Sequence, residues 1–355
     1  MSRVIRIAVV VALVAAFAAM TGSASSAPAQ TKSKGTIAFL LSGPDLYYQY
    51  GLNGAKVAAQ KLGYDFKVYP NPNISPSVEL ANVKNAIAQG AKAITGYSVG
   101  LSTEDASIAA ADNAGVPIFL IYGYNKKYLD KTNVIGFMQV DVVKYGLELG
   151  KWVKAHGPAG KFAIITGQLG RGDAEGYRQG FLQGLGCKGN IVKGLPPMTC
   201  GKFKYVATET GHWLRPDGYK AAQNIIAKVP DLAMLYGQND DMTVGAHTAL
   251  IAAHKDKQVF VVSMNGAPYG IPGIKAGWIK AENTDSPAYE GLMSVRLLDA
   301  FLGGKIQGQK LYLSHTVVAT KANVNSIVPW DFFKNPAMVT KYMKMPLLKP
   351  VANPK

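Results

Sequence analysis

The chain of 355 residues holds only two cysteines and five histidines, and its 22 acids are outnumbered by 38 Lys and Arg. The histidines (His156, His212, His247, His254 and His315) stand far apart, with no metal-ligand partner at short spacing. No Gly-x-x-x-x-Gly-Lys-Ser/Thr loop, Gly-x-Ser-x-Gly elbow or His-Glu-x-x-His pair occurs, which excludes three common catalytic frameworks. Gly167-Gln168-Leu169-Gly170-Arg171-Gly172 lacks dinucleotide-binding spacing, so a plain strand-to-helix turn is expected there. No metal or cofactor is expected. Beyond residue 20 no long apolar run follows, so a soluble mature chain is expected.

What is present begins with an address. Arg3 and Arg6 precede the apolar stretch 7–20, and small and polar residues fill 21–30. This layout reads as a secretory signal peptide over 1–29, cut after Ala29 or after Ala24. An export route bears on the cysteines: Cys187 and Cys200 would meet an oxidising compartment, which favours a disulfide, with metal binding the weaker alternative. The formal net charge of +16 comes from scattered Lys and Arg with no dense run. With an exported address, that balance reads as a solvated basic surface and not as a nucleic-acid site.

From Gly35 the chain alternates short apolar runs with amphipathic stretches. Strands are expected at 36–41, 65–69, 93–96, 116–121 and 134–137, with helices at 47–62, 76–89 and 102–114, the last opened by a Ser102-Thr103-Glu104-Asp105 capping box. The rhythm restarts with helices at 141–155, 173–185, 217–227, 242–253 and 288–302. Strands are expected at 162–166, 232–236, 260–263, 278–281 and 311–318, and the stretch after the Cys loop reads as a turn region. Two rounds of this pattern predict an α/β protein of two similar Rossmann-like lobes, each a parallel sheet flanked by helices. The Pro- and Lys-rich tail 326–355 is expected to pack loosely.

Ligands of such sheets bind beyond the strand carboxyl ends, so two facing lobes would pool their loops in one cleft. The residues there are of one kind: Asp45, Tyr47 and Tyr48; Tyr122 and Tyr124; Arg171, Asp173 and Glu175; His212 and Trp213; Gln238, Asn239, Asp240 and Asp241; Asn265; Asn283, Thr284 and Asp285. Planar carboxylates and amides take hydroxyls in pairs, and rings cover the C–H face of a sugar or polyol. A desolvated hydroxyl without a partner is costly, so such a site needs both. Each residue also has a plainer reading: acids and amides cap helices, and tyrosines pack at loop starts.

The sequence resembles the type I periplasmic binding proteins of the ribose/galactose-type sugar-binding branch, over residues 35–324. The matching segments are Thr36-Ile37-Ala38-Phe39, Gly54-Ala55, Lys61-Leu62-Gly63-Tyr64, Glu79-Leu80-Ala81-Asn82-Val83, Gly115-Val116-Pro117-Ile118, Gly180-Phe181, Gly245-Ala246 and, most specific, Gln238-Asn239-Asp240-Asp241-Met242. The resemblance implies lobes 35–139 plus 285–314 and 140–284 plus 315–325, joined by a three-strand hinge, with the ligand in the cleft between them. It implies a non-enzymatic periplasmic protein, expected as a monomer, that feeds a small sugar or polyol to the permease of an ABC importer; some relatives also feed chemoreceptors. Carried over residue by residue, it assigns ligand contact to Tyr47, Tyr48, Trp213 and Asn239. Asp45 stands where the family has Asn, Asn265 where it has Asp, and Asp285 where it has Gln. Tyr122-Gly123 replaces Asp-Arg and Glu175 replaces Arg, so both ligand-gripping arginines are expected to be lost. Acids and rings then admit a cyclitol or an amine-bearing ligand as the alternative. Three rivals are weighed: a glycosidase using Glu175 and Asp285, a sugar-responsive regulator, which would carry DNA-binding helices where the leader stands, and a sensor docking a membrane receptor.

Overall fold

Apolar runs of four to seven residues, too continuous for a one-faced sheet, form strands buried on both sides. A computed structural model describes residues 32–100, 104–122, 133–308 and 310–351. The leader, Ser102-Thr103, Gly123 and Tyr124 lie outside the described residues. The first sheet comprises β1 (Thr36–Leu41), β2 (Asp65–Pro70), β3 (Ala93–Tyr97), β4 (Ile118–Ile121), β5 (Val134–Gln139) and β12 (Lys310–Leu313). Its order is β12-β5-β4-β3-β1-β2, parallel throughout. Four helices accompany it: α1 (Leu46–Leu62), α2 (Pro76–Ala88), α3 (Glu104–Asn113) and α9 (Pro287–Leu302).

The second sheet comprises β6 (Gly160–Thr166), β7 (Met198–Cys200), β8 (Phe203–Thr210), β9 (Leu232–Gly237), β10 (Phe260–Asn265), β11 (Ile279–Thr284) and β13 (Val317–Ala319). Its order is β13-β11-β10-β9-β6-β8-β7, with only the edge strands β13 and β7 antiparallel. The helices α4 (Val142–His156), α5 (Gly172–Leu185), α6 (Arg215–Lys228), α7 (Asp240–Ala252) and α8 (Ile271–Ala276) belong to this half. The chain passes between the sheets three times: after Gln139, after Thr284, and between Leu313 and Val317. In each sheet the strand order reverses beside the opening strand, β1 or β6, which opens a crevice at the carboxyl ends.

The structure departs from expectation in four places. The stretch 311–318 is two strands, one in each sheet, because the chain crosses between lobes there. The turn region after the Cys loop is instead the β7–β8 hairpin at a sheet edge, where one face is solvated and polar residues such as Lys202 and Lys204 hide a strand signal. The short helix α8 was not expected. The tail does not pack loosely: Trp330, Phe332, Val339 and Tyr342 are buried, the last two on α10 (Pro336–Lys344) at a three-residue spacing that faces the first core. Arg296 of α9 fastens this tail by donating to the carbonyls of Tyr342 (3.2 Å) and Met345 (2.6 Å). Cys187 and Cys200 form the expected disulfide, closing the loop between α5 and β7.

Candidate binding cleft

The carboxyl ends of β1, β3, β4, β10 and β11 converge on one cluster of phenols and acids. The Tyr47 hydroxyl, from the first turn of α1, lies 2.7 Å from Asp285 Oδ2, 2.8 Å from Tyr122 Oη and 2.9 Å from Glu290 Oε2. Asp285 follows β11 at a crossover. It accepts also from Tyr122 (3.3 Å), from Tyr145 of α4 (3.2 Å) and, weakly, from Asn265 Nδ2 (3.4 Å). Tyr145 donates more closely to the Asn283 carbonyl, at 2.7 Å. Tyr97, the last residue of β3, lies edge-on to Tyr47 and 3.3 Å from Glu290. Trp330 closes the back: its indole N–H donates to the Asp285 carbonyl (2.8 Å) and the Asn265 carbonyl (3.1 Å), with its ring 5.3 Å from Tyr47.

Electrostatics keep these phenols neutral. Burial pushes Tyr47, Tyr97, Tyr122 and Tyr145 well above their ordinary values, and the acids Asp285 and Glu290 add to it for the first three. They therefore act as hydroxyl donors. Asp285 itself is raised by burial, against which the hydrogen bonds from Tyr47, Asn265, Tyr145 and Tyr122 hold it down.

At the mouth of the cleft the lobes meet. Arg171, from the loop before α5, pairs with Asp173 at 3.0 Å and hydrogen-bonds Tyr48 of the first lobe. Its guanidinium lies 5.8 Å from the Trp213 ring centre. Asp45 is raised by partial desolvation, which Arg171 offsets and Asp241 reinforces. Asp241 is held by both Nε and Nη2 of Arg215, at 3.0 and 2.9 Å. A cation nonetheless stands at the mouth: Arg171 reaches it from four positions before Glu175. Glu175 itself is engaged elsewhere: it accepts from the Gly170 N–H at 2.8 Å and pairs with the buried Arg178.

The predicted residues therefore divide. Tyr47, Tyr122, Asn265 and Asp285 share the floor cluster; Asp45, Tyr48 and Trp213 gather around Arg171 at the mouth. Asn239 is the N-cap of α7: its carbonyl oxygen accepts from Met242 N–H (2.8 Å) and its amide donates to the Trp213 carbonyl (3.0 Å). The neighbouring Gln238 ties the Arg171 loop, accepting from Gly167 N–H (3.0 Å) and donating to the Ala174 carbonyl (2.9 Å). Tyr122, His212, Trp213 and Asn265 all have left-handed backbones, at φ of 60°, 49°, 65° and 103°. Such strain in non-glycine residues is held only where the surroundings over-determine it, as at ligand sites. Trp213 packs so closely on Gly167 that a Cβ there would meet the indole at 2.0 Å. Its Nε1 is buried with no hydrogen-bond partner among the described residues.

Sequence reasoning placed Arg171 and Asp173 at a strand end without a contact role and missed Tyr97, Tyr145, Glu290 and Trp330 as members of this region. Tyr97 stood at a strand end and Glu290 was a lone acid on an otherwise apolar helix face, so both left a signal. Trp330 left none, since the tail joins the site only through tertiary packing.

Two facing parallel-sheet lobes, three crossings and a polar aromatic cleft define a bilobal binding protein. The chain belongs to the periplasmic binding protein family: the model of the periplasmic binding protein domain matches residues 37–306. This is a family of binding proteins, not of enzymes. The ribose import binding protein of Salmonella typhimurium is 28% identical over 284 residues, 79% of this chain and 90% of the relative. Among solved structures, an ABC transporter periplasmic solute-binding protein of Actinobacillus succinogenes with bound D-allose has a TM-score of 0.72 at 20% identity, covering 83% of this chain and 100% of the other. A solute-binding protein of Bacillus halodurans with bound myo-inositol gives 0.68 at 20%, covering 83% and 98%. Among the described residues no helix is long and apolar enough to cross a membrane.

Proposed function

We propose that the protein captures a small neutral polyhydroxy ligand, a sugar or polyol, between its lobes and delivers it to the membrane permease of an ABC importer. The observation that carries this reading is the floor cluster: neutral phenols, a carboxylate and an amide from both sheets and a crossover meet within hydrogen-bond reach. The ribose, D-allose and myo-inositol named for its relatives suit such a site. Tyr47, Tyr48 and Trp213 supply ring faces, and Asp45, Asp285, Asn239 and Asn265 supply planar acceptors and amides. Closure brings Arg171 onto Tyr48 and excludes water, strengthening each polar contact. The Arg171 charge beside Asp45, and the donors already on Asp285, argue against a trap for amines.

Calorimetry with pentoses, hexoses, inositols and small amines tests this. We expect a neutral polyol to bind, and Trp213→Ala to weaken it at least tenfold, about 1.4 kcal/mol. Asn239→Ala also removes a helix cap worth about 1 kcal/mol, so its affinity loss must be read beside its melting temperature. Unchanged affinity in both variants would sink the map; binding of amines alone would replace the ligand class.

A further inference from the structure

The Tyr47 hydroxyl has three oxygen neighbours within 2.9 Å and one proton to donate. A phenol oxygen donates once and accepts through its lone pairs. Its two acid neighbours, Asp285 at 2.7 Å and Glu290 at 2.9 Å, cannot both be served as carboxylates, so one of them must itself carry a proton. The surroundings decide which. Asp285 has further donors in Tyr122, Tyr145 and Asn265, which stabilise its ionised form. Besides Tyr47, Glu290 has the long contact from Tyr97 and the Ser314 hydroxyl, which hold it down less than burial raises it, and among the described residues its Oε1 makes no close hydrogen bond. It is fully buried on α9. Among the described residues the titratable groups facing it are Tyr47 from α1, Tyr97 from β3, Tyr122 beyond β4, Tyr177 from α5 and Asp285 ahead of α9, with the Ser314 hydroxyl beyond β12; none of these is a cation.

We propose that Glu290 is a positioning residue: protonated, it donates to Tyr47, whose own hydroxyl is thereby turned onto Asp285, fixing the floor of the cleft. Tyr47 then accepts from Glu290 and donates to Asp285, which leaves the single Tyr122 proton to Asp285. Ionising Glu290 reverses the relay. Tyr47 turns to Glu290, and Asp285 loses its shortest donor. The cleft is thus assembled in acid and neutral solution and loosened in alkali. Burial first, and the Asp285 charge second, push Glu290 up to about 8. The effect on ligand affinity rests on the proposed function; the protonation of Glu290 does not.

The test begins without ligand. A raised carboxyl contributes stability that is complete below its unfolded value and is lost as pH rises through its folded value. Glu290→Gln keeps the shape and a donor toward Tyr47 but cannot ionise. Relative to this variant, the wild-type folding constant should fall by up to tenfold per pH unit from about pH 5 to 8. The infrared difference between wild type and Glu290→Gln should show the carbonyl band of one protonated carboxyl at pH 7, and that difference band should fade above pH 8. Parallel stability profiles, or no such band, would overturn the proposal. Should the variant fold poorly, Tyr47→Phe serves: without the hydroxyl the wild-type alkaline slope should change. With whichever polyol binds, affinity should drop above pH 8 in wild type and stay level in Glu290→Gln. If the stability profiles diverge and no polyol binds, the relay stands and the proposed function fails.

Discussion

Asp240 and Glu282 are a second buried acid pair, on α7 and β11 of the second lobe. Asp240, the first residue of α7, accepts from Ser263 Oγ (2.6 Å) and Ala267 N–H (2.7 Å). Glu282 on β11 lies beside it, with no other partner for its carboxyl among the described residues. Burial lifts Asp240 to about 6, and burial together with the Asp240 charge lifts Glu282 well above its usual range. Glu282 therefore holds the proton at neutral pH and lends it to Asp240. Raised acids stabilise at low pH and cost stability as pH climbs through their folded values. Glu282→Gln should accordingly gain on wild type between pH 4 and 8, by on the order of 2 kcal/mol. Thermal unfolding at the two pH values checks it; an equal difference at both would show that Glu282 is ionised in the folded protein.

Helix pairs on each lobe approach through glycine. On the first, a Cβ at Gly54 of α1 would stand 1.9 Å from the Ala288 carbonyl oxygen of α9, and one at Gly291 would stand 2.0 Å from the Gly51 carbonyl. On the second, a Cβ at Gly180 of α5 would meet the Val143 carbonyl of α4 at 1.9 Å. Neither backbone can yield without shifting a whole helix. The first pair carries Tyr47 on one helix and Glu290 on the other, so the glycine contact also sets the distance between them. Gly54→Ala should lower stability by about 2 kcal/mol or more, through overpacking. Gly172→Ala, where a Cβ meets nothing within 4 Å, should fall within about 0.5 kcal/mol of wild type. Denaturant titration of the two variants separates them; equal losses would mean that the helices adjust freely.

The whole molecule is bound together by its last segment. Phe332, Val339 and Tyr342 anchor that segment in the first core, Val351 bridges to Leu311 of β12, and Trp330 reaches back to the carbonyls of Asn265 and Asp285. The tail thus joins the end of β10 in the second lobe to the crossover after β11 and to α1. Trp330→Ala should destabilise by about 3–5 kcal/mol, as for other buried tryptophans. It should also weaken ligand binding, because the ring backs Tyr47 and the indole fixes Asn265. Preserved stability with unaltered affinity would confine the tail to a passive role.

Much of this was legible in sequence. Alternating apolar runs and amphipathic stretches determined the two parallel sheets, since burial on both faces demands continuous apolar strands. Strand-end chemistry, a local property, marked Tyr47, Tyr122, Asn265 and Asp285. The cysteine count and the expected export signal together pointed to the Cys187–Cys200 bond. Tertiary structure alone decided the rest. It placed Arg171 and not Glu175 at the mouth, because a loop's reach depends on how Gln238 ties it. It made Asn239 a helix cap as well, showed that the β7–β8 hairpin exists, and drew Trp330 into the hinge from 45 residues beyond Asp285. It also made Glu290 and Asp285 neighbours of one hydroxyl, and only that proximity, in a desolvated interior, decides which acid keeps its proton.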